Sequence, residues 1–187
     1  MEIMDAIYHR RAVRDYTEQM VERPILDQLV DAAIQAPSAL DEEAWFFAVI
    51  QGRRRLRDYS DRAKMHFRAT FAPGDDPQAM KHDVLADPQF NIFYNAATLV
   101  VIYAQPGRQF ATVDCCLAAQ NLMLAAHGLG LGTSPIGFAQ AWLDLEEVKM
   151  ELDVATDHTA VLPLIVGYPA QTPPPVPRKK PGTVFSI

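Results

Sequence analysis

Residues 112–137 read TVDCCLAAQNLMLAAHGLGLGTSPIG, and this stretch decides the fold. From Thr112 to Gly128 it is apolar almost all round and free of proline, which predicts one long helix. A helix apolar on every side belongs in the centre of a core or in an interface between subunits. Gln120, Asn121 and His127 interrupt the run, so it is a poor membrane span. Gly128, Gly130 and Gly132 superficially resemble a dinucleotide-binding loop, but such a loop follows a strand and opens a helix. Here the glycines follow a helix, and helix termination is the better account.

Working outward, three short apolar runs read as buried strands: WFFAVI (45–50), ATLVVIYA (97–104) and VLPLIVGY (161–168). Helical spacing is expected over 3–9, from Pro24 to the boundary set by Pro37, over RRRLRDYSDRAKMHF (53–67) and over 143–152. Pro73 to Pro88, with PGDDP, reads as a loop. The tail PAQTPPPVPRKKPGTVFSI (169–187) cannot be helical in its proline-rich half and must run extended along something. Its last residues, TVFSI, have strand character and could pair with a sheet edge. Helices alternating with continuous apolar strands imply an α/β or α+β layer fold in which helix outweighs sheet.

The chain has 187 residues, enough for one domain that buries roughly two-thirds of its unfolded surface and needs no disulfide or metal. Its net charge of −6 disfavours nucleic acid and anionic membrane as partners. Cys115 and Cys116 are adjacent and offer neither a disulfide framework nor a zinc spacing, and the five histidines show no ligand spacing. The N-terminus shows no secretory pattern, so a cytoplasmic protein is expected.

Against the acidic balance, basic residues are clustered. Arg10, Arg11 and Arg14 fall within five residues and repel one another unless an anion or carboxylates (Asp5, Asp15, Glu18) sit among them. Arg178, Lys179 and Lys180 follow the proline segment, which could hold them against the body so that both clusters converge on one phosphate. The turn APSALDEEAW (36–45) carries a hydroxyl and three carboxylates; Asp41 and Glu43 read either as a general acid–base pair or as a solvated acidic loop.

Taken together these residues resemble the nitroreductase family. IYHRRAVRDYT is similar to the family's opening Arg-Arg-Ser-x-Arg segment, and APSALDEEAW to its Ala-Pro-Ser-x-x-Asn-x-Gln-Pro-Trp turn. CCLAAQNLMLAAHGLGLGTSPIGF resembles its central helix and glycine-rich exit, and LPLIVGYPAQTPPPVPRKKP its last strand and basic tail. The resemblance implies a single α+β domain over 1–187: a central mixed sheet sandwiched by helices, with 170–187 an extended tail. It also implies a homodimer holding FMN at each of two interface sites. Electrons would pass from NADH or NADPH through the flavin to a small flat acceptor, such as a nitroaromatic or quinone, in a ping-pong cycle. The flavin carries the redox chemistry, so no catalytic side chain is expected.

By the same resemblance Arg10, Arg11, Ala12 and Arg14 match the segment at the FMN phosphate, ribityl chain and ring. Arg178 and Lys180 match the basic tail at that phosphate. Pro37, Ser38 and Ala39 match a loop that the partner subunit lays against the flavin, with Asp41 at its asparagine position. Ile136 and Gly137 match the segment whose backbone lies beside the ring. Met65, Phe67, Phe71, Phe90, Phe93 and Tyr94 are candidates for a pocket lining, with core packing favoured for most.

Four departures stand out. Ala12 replaces a serine, Asp41 the asparagine, Glu43 the glutamine and Ala44 the proline. An ionised aspartate only accepts hydrogen bonds. Two carboxylates near a flavin would lower its reduction potential, a unit pair at about 4 Å being worth roughly 4 kcal/mol at an effective dielectric of 20. Asp41 could instead pair with Arg11 or Arg14, or point away from the ring. These departures keep open a flavin-binding dimer with a sensing, storage or regulatory role.

Overall fold

The computed structural model describes residues 2–70 and 84–183. Helices α1 (Ile3–His9) and α2 (Arg23–Ala33) precede strand β1 (Trp45–Gln51) and helix α3 (Arg53–Thr70). Strand β2 (Thr98–Ala104) leads into helix α4 (Ala111–Gly128) and the short strand β3 (Gly132–Pro135). Helices α5 (Gln140–Leu143) and α6 (Glu146–Glu151) precede strand β4 (Thr159–Gly167).

The strands form one sheet in the order β1-β2-β4-β3. Every residue of β2 is buried, as its unbroken apolar run requires of a central strand. Its side chains alternate between two cores. Leu99, Val101 and Tyr103 pack with Tyr59 of α3 and with Trp142 and Leu143 of α5. Val100, Ile102 and Ala104 pack with Leu26 and Leu29 of α2 and with Cys115 and Leu122 of α4. Leu122 is wholly buried, and truncating it to alanine would cost about 2–5 kcal/mol.

Two expectations are corrected, and one strand is added. The sheet is not mixed: all its strand pairs are antiparallel. The parallel component is a single bridge, Ala12↔Thr133, because residues 12–16 run alongside β3 without extending into a strand. The helix expected over 143–152 is two short helices split at Asp144, whose carboxylate leaves the helical pattern to accept from the Ala160 amide at 2.9 Å. Strand β3, GTSP, is invisible to propensity and exists because β4 offers it a partner, with Thr133 opposite Val166.

Two glycines fix the opening segment against this sheet. A Cβ at Gly132 would stand 2.4 Å from Val13, and one at Gly167 would stand 2.8 Å from the Tyr16 ring. Their absence lets Val13 N–H reach Thr133 O (3.0 Å) and Thr17 N–H reach Tyr168 O (2.9 Å). Tyr16 is buried and its hydroxyl donates to Val13 O at 2.8 Å. Burial raises its pKa, so the phenol keeps the proton that bond needs. The backbone between Arg10 and Arg14 is thereby held at the β3 margin.

Some apolar surface has no partner within the chain. Ile3, Met4, Ile7 and Tyr8 of α1 are exposed, as are Val113 and Leu117 of α4. Among the described residues β1 pairs only with β2, so its other edge is open. The sheet-edge pairing expected of TVFSI falls mainly on 184–187, and the loop expectation mainly on 73–83, all outside the described residues. Among the described residues no helix is long and apolar enough to cross a membrane.

Candidate functional site

One residue of the tail cluster comes within electrostatic reach of the opening one: Arg10 loses proton affinity first through burial and then through repulsion by Arg178 and Arg11. Two of the carboxylates that could have neutralised them are engaged elsewhere. Glu18 faces Arg53 at 3.7 Å, and Asp15 accepts from the Gln171 side chain at 3.2 Å. Among the described residues, none of Arg10, Arg11, Arg14, Arg178 and Lys180 pairs with a carboxylate. Lys180 stays in solvent.

A pocket of about 230 Å³ lies here, lined by His9, Arg10, Arg11, His127, Thr133 and Thr172 among others. Arg11 donates to the carbonyls of Tyr8 (2.7 Å) and Arg10 (2.8 Å), yet its Nε is buried without a partner, as is Thr133 Oγ1. His127 is held below its usual pKa by burial, then by Arg10, His9 and Arg11. Such a concentration of unpaired donors is a site for a polyanion such as a phosphate.

Adjoining it, a cleft of about 380 Å³ is lined by Arg14, Phe67, Ile92, Tyr94, Pro135, Ile136, Gly137 and Phe138. Arg14 of the opening segment and residues 135–138 at the exit of β3 line it together with Phe67 of α3 and the segment before β2. Open space stands where a Cβ at Gly137 would go, so packing does not require that glycine. Ala12, half-buried, shares a further pocket of about 260 Å³ with Arg14 and the tail residues Gln171 to Pro174.

Thus one flank gathers Arg10, Arg11, Ala12, Arg14, Ile136, Gly137 and Arg178. Pro37, Ser38, Ala39 and Asp41 do not line the cleft of their own protomer. Their loop is anchored at the start of α4: both oxygens of buried Asp114 accept from Ala39 N–H, at 3.2 and 3.3 Å. Ser38 Oγ accepts from Glu43 N–H at 3.2 Å, and Glu42 pairs with Arg108 at 3.1 Å. Leu40, Asp41 and Glu43 all take left-handed backbone, and Leu40 is 86% exposed. Within the chain Asp41 pairs with neither Arg11 nor Arg14.

Of the aromatic candidates, Phe67 and Tyr94 line the cleft, Phe93 is core, Phe90 packs against the core and Tyr94, and Met65 is exposed. Phe71 lies outside the described residues. Ile92, Pro135, Phe138, Thr133 and His127 were missed. Phe138 adjoins Gly137 and could have been found by proximity, whereas the others carry no pattern of their own.

A central antiparallel sheet between two helical layers, with an opening arginine segment beside a short edge strand, defines a class of protein. The nitroreductase family profile matches residues 7–168, and the chain belongs to that family. A nitroreductase of Bacteroides fragilis solved with bound FMN superimposes with a TM-score of 0.83 at 25% identity, covering 100% of this chain and 98% of that one. A protein of Methanothermobacter thermautotrophicus, provisionally named NADH dehydrogenase/NAD(P)H nitroreductase, is 27% identical over 92% of this chain and 80% of its own. A 4-nitrobenzoate reductase of a Nocardioides species is 28% identical over 90% of this chain and 81% of its own.

Proposed function

We propose that the chain is an FMN-dependent NAD(P)H oxidoreductase that reduces a small flat acceptor, such as a nitroaromatic or quinone. It works as a homodimer of single-domain subunits. The observation that carries this reading is the convergence of Arg10, Arg11 and Arg178, without a neutralising carboxylate, next to a cleft walled by aromatic and backbone groups. The donor set fits a phosphate and the adjoining cleft fits a flat ring, so the residues present suit FMN. Family membership and the FMN-bound neighbour support the same assignment.

Arg10, Arg11 and Arg178 hold the phosphate, with Lys180 reaching in from solvent, and Ala12 lies along the chain that links phosphate to ring. Arg14 and the Ile136–Gly137 backbone, gathered on the same flank of the cleft, would meet the ring. FMN when bound supplies the two-electron chemistry, taking hydride from a nicotinamide and passing electrons to the acceptor. Phe67, Tyr94 and Phe138 exclude water and offer faces to a planar substrate. Pro37, Ser38, Ala39 and Asp41 serve the other protomer's cleft. The exposed apolar faces of α1 and α4 are the surface that a second copy covers. Cys115 has no nucleophilic role, since burial pushes its thiol up to about 12. The work takes place in the cytoplasm.

The test is a visible spectrum after adding FMN and desalting, followed by anaerobic NADH and NADPH. Retained flavin bands that bleach are expected. Bands that persist with either nicotinamide would favour a sensing or storage dimer, a reading that the carboxylates Asp41 and Glu43 support. No retained flavin at all would end the FMN assignment.

A further inference from the structure

Buried polar side chains are few in this protein, and three of them serve one short stretch of backbone. Ser60, Lys64 and Asn91 are all buried. Lys64 Nζ donates to Phe90 O at 2.7 Å and Asp87 O at 3.3 Å, and pairs with Asp61 at 3.0 Å. Ser60 Oγ accepts from Ile92 N–H at 3.1 Å. Asn91 accepts from Phe93 N–H at 2.9 Å and donates to the Asn95 side chain at 3.2 Å. The stretch so pinned ends in two consecutive left-handed residues, Tyr94 (φ 49°) and Asn95 (φ 58°). Asparagine tolerates that conformation, but a tyrosine there is disfavoured by about 1–2 kcal/mol. Backbone strain persists only where the surroundings over-determine it, and it collects at functional sites.

The strained backbone delivers the Tyr94 ring to the cleft. Phe90 meets it edge-on at 5.7 Å, and the Arg14 guanidinium carbon lies 5.8 Å from its centroid. Arg14 has no hydrogen bond or ion pair among the described residues, so this ring is its one specific contact. A long exposed arginine without a partner spreads over several rotamers, whereas one lying over an aromatic face is confined.

We infer that Tyr94 is the positioning residue for Arg14, and that Ser60, Lys64 and Asn91 hold Tyr94 in the conformation this requires. The ring and not the hydroxyl does the positioning, because the contact is to the face. The inference rests on the proposed FMN site, where Arg14 reaches the ring.

A double-mutant cycle on FMN affinity, read by flavin fluorescence quenching, tests it. Tyr94→Asn removes the ring while suiting the left-handed backbone, and should weaken FMN binding about three- to tenfold. Tyr94→Phe should stay within about twofold of wild type and keep its flavin absorbance maximum. In an Arg14→Leu background Tyr94→Asn should have no further effect. Circular dichroism establishes that each variant is folded; if Tyr94→Asn is not, Tyr94→Gly takes its place in the cycle. Additive losses, an unchanged affinity in the ring-less variant, or a Tyr94→Phe loss as large as the Tyr94→Asn loss would each overturn the inference. Wild-type protein that binds no FMN would instead overturn the cofactor assignment on which the inference rests.

Discussion

Two segments of this protein hold non-glycine residues in left-handed backbone beside buried polar anchors, and they differ in what they face. The 87–95 stretch is tied to α3 by Lys64 and Ser60 and turns Tyr94 into the cleft of its own chain. The 37–43 loop is tied to α4 by Asp114 and turns Leu40 into solvent. One is a finished wall, its strain balanced by a contact with Arg14. The other carries similar strain and leaves Leu40 exposed. Under the proposed homodimer, the difference means that half of the site would be complete in one protomer and the remaining half presented for a second.

The comparison can be broken most strongly at the finished wall. Lys64→Met leaves two carbonyls and Asp61 without their partner, and should destabilise the fold by about 2–4 kcal/mol. That corresponds to a melting point lower by roughly 4–16 °C in a chain of this size. An unchanged melt would mean the wall is not pinned as described. Next, Arg10→Ala or Arg178→Ala should weaken FMN binding about ten- to a hundredfold, since each removes a charge-assisted bond to phosphate. Riboflavin, which has no phosphate, should bind both variants as it binds wild type; an equal loss for both ligands would place the cluster elsewhere.

At the unfinished loop the effects should separate. Asp114→Ala removes the acceptor of the Ala39 amide and should cost about 1–3 kcal/mol of stability. It should also weaken FMN retention in the assembled protein several-fold, as desalting with absorbance detection would show. A loss of stability with retention intact would make the anchor merely structural.

Smallest is a surface effect at Glu151. Arg62 and then the Tyr59 hydroxyl hold Glu151 below the usual carboxylate range, at 2.9 and 2.6 Å. A carboxylate whose folded pKa lies below its unfolded value near 4.5 contributes stability that is present above that value. The contribution is lost as pH falls through the folded pKa. Glu151→Gln should therefore flatten the stability profile below about pH 4.5 and leave its shape above pH 6 unchanged, as urea titrations at several pH values would show.

Much of this was legible in the residues. The helix at 111–128 and the strands at 45–51, 98–104 and 159–167 announce themselves by unbroken apolar runs, where burial alone sets the pattern. Arg10, Arg11 and Arg14 stand out as three guanidiniums within five residues that need an anion or carboxylates among them, and the proline segment before Arg178 could hold the tail against them. What was not legible depends on tertiary partners. GTSP becomes a strand because β4 lies beside it, and Asp144 divides a helix because the Ala160 amide is within reach. Tyr94 is a candidate lining residue in the sequence, but its left-handed backbone and its neighbour Arg14, eighty residues earlier in the chain, leave no periodic trace.

The central claim is that the loop of one copy completes the basic flank of another. Arg10→Ala protein and Asp114→Ala protein, each poor in flavin, can be mixed under conditions that exchange subunits. In every hybrid dimer one site then joins an intact flank to an intact loop. Random exchange should restore about a quarter of the flavin that wild-type dimers retain after desalting. Recovery no greater than the average of the two parents would contradict the account, because it would place flank and loop in the service of the same protomer's cleft.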